Sequence, residues 1–306
     1  MLSDSRTTGE PDAGPLASSE AVRPYTRWLG IALIPFLVAA WILLYVLPGT
    51  TNLLFAWTIA PSLSAMLLAS AYVGGIWFFV LVARARQWKT VRRGFPAVLT
   101  FASLALVATI LHWDRFHFGH ISFVTWVILY ISAPFLVAAA ILLQRGSDSD
   151  SDTGSDRSGH RGSDRPTEYG IPAWQRVLLA IVGIAASATG IVLFIAPALL
   201  IDTWAWQLTP LTARITGAIL TLPGMVNVWM LVDRRWSAFR GIFQAQLVSL
   251  AFILLALVLA RGDLDWARPL TPVVVGGFVV SAAAYVAFYV SNEKGSSRAQ
   301  TRNATP

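Results

Sequence analysis

The chain has 306 residues, of which 56% are hydrophobic and only 13% are charged, whereas about 25% are charged in a typical soluble domain. Charge is costly in lipid, so this deficit excludes an ordinary soluble protein and indicates a surface that largely faces a bilayer. The net charge of +7 comes from basic residues in short loops beside apolar segments, which argues against nucleic-acid binding, and the absence of Cys excludes disulfides and thiol chemistry.

The first 26 residues are polar and rich in Ser, Pro and acidic side chains. They lack the short basic segment leading directly into an apolar core that marks a signal peptide. We therefore expect residues 1–26 to be a disordered cytoplasmic tail, with no cleaved signal peptide and a retained first membrane span.

Eight continuous apolar runs follow, most of them close to the ~20 residues that a helix needs to cross the hydrocarbon core. None alternates as the strands of a membrane barrel do. The prediction is an all-α integral membrane protein with about eight transmembrane helices. The runs cover 28–47, 61–82, 95–111, 121–143, 174–195, 210–232, 242–260 and 272–290.

Basic residues predict the orientation of these spans. Nineteen of the 23 Lys and Arg residues lie in or directly beside the tails, the linker and the loops after the second and sixth runs. The positive-inside rule therefore places both termini in the cytoplasm, and the cell membrane is the expected location.

Residues 145–170 consist mainly of Ser, Asp, Gly and Arg. Such a composition has little to bury, so it predicts a disordered cytoplasmic linker. The predicted organisation is a four-helix unit over 27–144, this linker, a second four-helix unit over 171–291, and a cytoplasmic tail over 292–306.

The two units show an internal repeat at an offset of 149 residues. Matches at Pro and Trp are informative because these residues are rare. Each unit has an even number of spans, so both must have the same orientation, which predicts tandem parallel repeats related by an axis along the membrane normal. The matched pairs include Pro48 with Pro197, Trp57 with Trp206, Pro61 with Pro210, and Asp114 with Asp263.

The loop over residues 112–120 contains three of the four His residues, His112, His117 and His120, together with Asp114. Imidazole and carboxylate groups together can bind zinc or copper, so these His residues are candidate metal ligands. Their spacing fits no standard motif. The alternative is an interfacial loop whose His and Trp side chains lie among the lipid headgroups.

Arg214 lies about four residues into the sixth run, with Asp202, Asp263 and Asp114 as candidate partners. A guanidinium within a span usually faces the bundle interior or a cavity and is paired. Arg214 either reaches the interface in a structural ion pair or binds an anionic group at an outer mouth.

Other residues near the spans carry polar or aromatic groups. Trp57 and Trp206 either line an outer mouth or form an interfacial aromatic belt. Thr212 and Asn227 are candidate intramembrane polar residues, and the Asn227 amide could bond to a neighbouring helix. Gln246 is expected near the cytoplasmic interface because it follows the sixth-to-seventh loop closely.

Three functional hypotheses remain at the sequence level. The first is a carrier of a small amphipathic or anionic molecule between the two halves. The second is a non-catalytic membrane component that binds a protein or lipid partner. The third is an outer-face enzyme that depends on metal or lipid. No cofactor motif is present, and the expected partners are the bilayer and an unidentified membrane protein or small ligand.

Overall fold

The computed structural model describes residues 21–155 and 169–304. Within these residues the regular secondary structure is helical, apart from isolated β-bridges. All eight predicted spans are present as helices long and apolar enough to cross a membrane. We label the long helices α1 (Pro24–Trp41), α2 (Ser62–Arg84), α3 (Phe95–Leu111), α4 (Ile121–Ser155), α5 (Ala173–Ile195), α6 (Pro210–Val232), α7 (Trp236–Leu259) and α8 (Thr271–Ala304).

Three helices extend at least six residues beyond the apolar runs that predicted them. Helix α7 begins at Trp236, ahead of the run starting at 242, because Trp236 and Phe239 are buried and Arg240 pairs with Glu293. Helix α4 continues to Ser155, into the segment predicted as a disordered linker, and α8 continues to Ala304, through most of the predicted tail. A helix formed within the membrane propagates at low cost beyond it. Residues 1–20, 156–168 and 305–306 lie outside the described structure.

The two halves of the chain are interleaved. Helix α2 packs on α1 and also on α7 from the other half, while α6 packs on α5 and on α3. Helices α2 and α6 touch each other at the centre, and α4 and α8 cover α3 and α7. Two rows of helices result, each drawing members from both halves of the sequence.

Glycine sets the closest helix contact, between α5 and α6. A Cβ on Gly217 would overlap the carbonyl oxygen of Gly190, and a Cβ on Gly224 would overlap Ser187. Lipid tails are as apolar as the side chains, so association in a bilayer depends on this close backbone approach. The two helices consequently form the tightest pair in the bundle.

One end of the bundle, which we call the basic end, carries the α2–α3 and α6–α7 loops. Asp233 is buried there and accepts hydrogen bonds from Arg93 and Arg235, with Arg92 3.8 Å away. Burial alone would raise the pKa of Asp233, but these hydrogen bonds outweigh it and hold the pKa well below its usual range. The carboxylate therefore joins the loops of the two halves.

Candidate functional site

None of the acidic residues expected around Arg214 forms an ion pair with it. Asp263 accepts a hydrogen bond from the backbone N–H of Leu63 at 2.8 Å, in the first turn of α2. Asp114 is exposed and pairs with Arg115, and Asp202 is exposed. A carboxylate at a helix N-terminus satisfies an otherwise unpaired N–H group and interacts favourably with the helix dipole. Asp263 thus joins the α7–α8 loop to the start of α2.

Arg214 instead contacts a histidine. Its Nη1 donates a hydrogen bond to His112 Nε2 at 2.6 Å, while its Nε is buried without a hydrogen-bond partner. His112 must be neutral to accept this bond. Burial, the charge of Arg214 and that of Arg115 lower the pKa of His112 below its ordinary value, against the opposing effect of Asp114. The pair connects the ends of α3 and α6.

The three candidate metal-binding histidines do not converge. His117 donates from Nδ1 to the carbonyl of Phe55 and accepts from Thr58 at Nε2, so both of its ring nitrogens are engaged. His120 lies beside it, with ring centroids 5.2 Å apart. Among the described residues no group of three His, Asp or Glu side chains could hold a metal ion.

Trp57 and Trp206 are buried rather than placed at an open mouth or a lipid interface. The Trp57 ring packs on Phe55 and Trp126, with centroids 5.0 and 4.7 Å away. Trp206 donates from its indole N–H to Ser64 at 2.9 Å. Both indoles therefore fill the bundle near the end opposite the basic end.

Thr212 and Asn227 form internal hydrogen bonds. Thr212 and Thr209 make a reciprocal capping box at the start of α6. Asn227 is fully buried, and its amide bonds to the Leu179 carbonyl and to the Tyr285 hydroxyl. These contacts give both residues a structural role. For Asn227 it is the role considered from sequence, that of an amide that bonds to neighbouring helices.

A cavity of about 260 Å³ lies between the two rows of helices, and every one of the eight helices contributes to its wall. It extends from the middle of the bundle towards the basic end, where Gly94 lines it. Its lining is predominantly apolar and includes no Asp, Glu, Lys, Arg or His. The cavity is therefore suited to an apolar body that carries no charge.

A few polar groups interrupt this apolar wall. Tyr72 and Tyr130 bond to each other through their hydroxyls, 2.9 Å apart. Gln246 also lines the cavity, with both amide atoms buried and without a hydrogen bond. It lies in the interior and not at the interface expected from sequence, because α7 starts earlier than its apolar run and Gln246 falls near the middle of the helix.

Sequence reasoning did not find this cavity, since its lining is scattered over all eight spans. The available signal was slight: polar residues in otherwise apolar runs, such as Tyr72 and Gln246. No family model, curated protein or solved structure matches this chain. The fold defines a multi-pass membrane protein, and its more specific function has to be argued from the cavity.

We expect the Asp263→Ala variant to be less stable by about 1 kcal/mol, because the first turn of α2 loses an acceptor for its N–H groups. Thermal unfolding of the purified protein in detergent measures the change. Asp202→Ala removes an exposed carboxylate of the neighbouring loop and serves as the control. Equal melting of both variants would show that the Asp263 contact does not stabilise the fold.

We expect acidification to destabilise the protein in part through His112. Because the pKa of His112 is lower in the folded protein, the unfolded chain binds more protons at this residue. The stability that neutral His112 contributes is therefore complete above its ordinary pKa of 6.5, and it is lost as the pH falls through the folded-state pKa. The apparent melting temperature should drop between about pH 7.5 and about pH 5.

His112→Gln keeps an acceptor for Arg214 but cannot titrate, so it should reduce this drop. Because the other histidines remain, the difference between the two profiles isolates His112. Superimposable pH profiles of the parent protein and the variant would contradict the assignment.

Proposed function

We propose that the protein binds a small, uncharged amphiphilic molecule in the cavity between its two rows of helices and exchanges it with the bilayer. The observation that carries the proposal is the largely apolar cavity, lined from all eight helices. Apolar pockets with a few placed polar groups are the usual form of small-molecule sites.

The size of the cavity supports a compact ligand. A dry apolar cavity of about 150 Å³ already accommodates benzene, and pockets for drug-sized ligands begin near about 300 Å³. At about 260 Å³ the cavity falls between these limits. It suits a single medium-length chain or a small ring system rather than a whole phospholipid.

The charge of the lining favours an uncharged ligand over the anionic one considered from sequence. An ion in a low-dielectric site is costly unless it is paired, and no basic side chain lines the cavity. Arg214, the sequence candidate for anion recognition, lies outside the lining and bonds to His112. Of the two ligands in the carrier hypothesis, this geometry supports the amphipathic molecule and not the anionic one.

We also propose that the two halves of the chain are tandem parallel repeats, each of which contributes helices to both rows around the cavity. Corresponding helices have corresponding neighbours: α2 packs on α7 as α6 packs on α3. Pro48 and Pro197 each begin a short 3₁₀ turn. The Ala56 and Ala205 carbonyls each accept a backbone hydrogen bond, from His117 and Asp265, at 2.8 and 2.9 Å.

A non-catalytic role in binding a membrane partner is the second candidate. The observation that favours it is the dry packing of Asn227, which leaves this amide no aqueous pathway to border. On this second proposal the cavity would be a packing defect, and it would not take up ligand selectively.

Filling the cavity tests the proposal. Gly75 lines it, and a Cβ there would meet only Leu37 at 3.4 Å, so the backbone tolerates Gly75→Leu while the side chain occupies ligand space. Gly277→Leu is the matched control, because a Cβ at this position meets nothing within 4 Å.

We would photolabel the reconstituted protein with a decanol that carries a mid-chain diazirine, and map the modified residues by mass spectrometry. Labelling of the cavity wall should be abolished by Gly75→Leu and preserved in Gly277→Leu. Equal labelling of the wall in both variants, or label confined to lipid-facing positions, would favour the partner-binding candidate.

We propose in addition that the basic end faces the cytoplasm, on the support of its basic loops. The protein contains no Cys, so single cysteines report topology cleanly. Asp202→Cys and Arg234→Cys both lie at exposed loop positions, at opposite ends of the bundle. In intact cells a membrane-impermeant maleimide should label the cysteine at position 202, and it should label the cysteine at position 234 only after permeabilisation. The reverse pattern would show that the basic end faces outwards.

A further inference from the structure

The Tyr and Gln side chains of the cavity wall, which also contains Ser249 and Ser281, differ in whether they are hydrogen bonded. The Tyr72 and Tyr130 hydroxyls bond to each other, and the Tyr285 hydroxyl bonds to Asn227. The amide of Gln246 lies beside the Tyr285 hydroxyl but outside the geometry of a hydrogen bond, and both of its polar atoms are buried. The Tyr285 hydroxyl donates to Asn227, so it can at most accept one N–H of Gln246. Gln246 therefore brings an unused acceptor, Oε1, and at least one unused N–H donor to an apolar wall.

A second unused acceptor comes from a proline. Pro223 lies within α6 and has no N–H group, so the carbonyl of Ile219, four residues earlier, lacks its helical donor. Both Ile219 and Pro223 line the cavity, as Gln246 does. The wall thus contains a carbonyl on α6 that lacks its i+4 helical donor and an amide on α7 without a hydrogen bond.

Such groups are costly in a membrane interior, where no bulk water replaces a missing partner. Neighbouring polar groups normally satisfy the backbone freed by a proline in a membrane helix. A ligand group that both donates and accepts would satisfy these atoms. A hydroxyl does both: it can donate to the Ile219 carbonyl or to Gln246 Oε1, and it can accept from Gln246 Nε2.

We propose that the cavity selects molecules with an apolar body and a hydroxyl group, and that Gln246, with the Ile219 carbonyl, recognises this hydroxyl. This inference rests on the proposed ligand-binding function and names its substrate class: uncharged alcohols of the lipid phase. A carboxylate could bond only to Gln246 Nε2, would face two acceptors that it cannot satisfy and would find no cation, and a pure hydrocarbon would leave all of these groups unpaired.

The test compares two photoreactive probes with the same alkyl chain, the diazirine decanol and its methyl ether, which cannot donate a hydrogen bond. Each is applied to the reconstituted full-length protein at matched membrane concentration, and the labelled fraction of the cavity wall is measured. In the parent protein the alcohol should label several-fold more than the ether, since a site built to bond a hydroxyl discriminates against an analogue that lacks it.

Gln246→Leu should remove this preference and leave ether labelling intact, because leucine preserves the apolar volume and removes the amide. Gln244→Leu is the control, since Gln244 is two residues away on α7, lies outside the lining and bonds to Tyr289. It should retain the preference for the alcohol. Gln246→Leu should also melt no lower than the parent without ligand, because it removes an unpaired buried amide.

The outcomes separate the two proposals. Labelling of the wall by both probes to the same extent in the parent protein would overturn hydroxyl recognition and leave ligand binding standing. Wall labelling by neither probe would overturn the ligand-binding function itself. Loss of the preference in Gln244→Leu as well as in Gln246→Leu would show a general effect on α7 and contradict a specific role for Gln246.

Discussion

The structure depends on how closely helices can approach one another without a hydrophobic force between them. In lipid, burial of apolar surface does not distinguish a protein neighbour from an acyl chain, so contact between backbones has to supply the attraction. Gly190 and Gly217 permit that contact between α5 and α6, and Gly74 permits it where α2 meets Ser249 on α7. Where bulky side chains such as Phe78, Phe101 and Tyr285 enter the centre, the rows stay apart, and the cavity lies in this space.

Both ends of the bundle join the two halves of the chain across this space. At the basic end, Asp233 of the second half accepts hydrogen bonds from Arg93 of the first half, which also lies over the ring of Trp229. At the opposite end, Asp263 caps α2 and Arg214 bonds to His112. These links are polar and lie at the ends of the spans, where water and headgroups lower the cost of charge. In the middle of the spans the helices associate through apolar packing, which accounts for an uncharged cavity in a chain of net charge +7.

Polar groups within the spans differ in whether the protein itself satisfies them. Trp126 donates to Thr109 at 2.9 Å, and Asn227 bonds to Tyr285, so these residues specify how the helices associate. Gln246 makes no hydrogen bond to another helix, and Pro223 removes the i+4 helical donor of the Ile219 carbonyl. In a membrane an unsatisfied group of this kind weakens the bundle unless something else binds to it. This asymmetry is the physical reason for linking the cavity to a ligand rather than to packing alone.

The sequence by itself determined the number of spans and their type, because the need for about 20 apolar residues is a local property that each run meets independently. It also located the polar residues that interrupt these runs, including Arg214, Asn227 and Gln246. Only the tertiary structure decided their partners. Arg214 contacts His112 and not an aspartate, Trp57 and Trp206 are buried, and Gln246 lies in the interior because α7 begins at Trp236. The cavity could not be predicted from sequence, since its wall comes from all eight helices and the interleaving of the two halves follows from close contacts that no local pattern encodes.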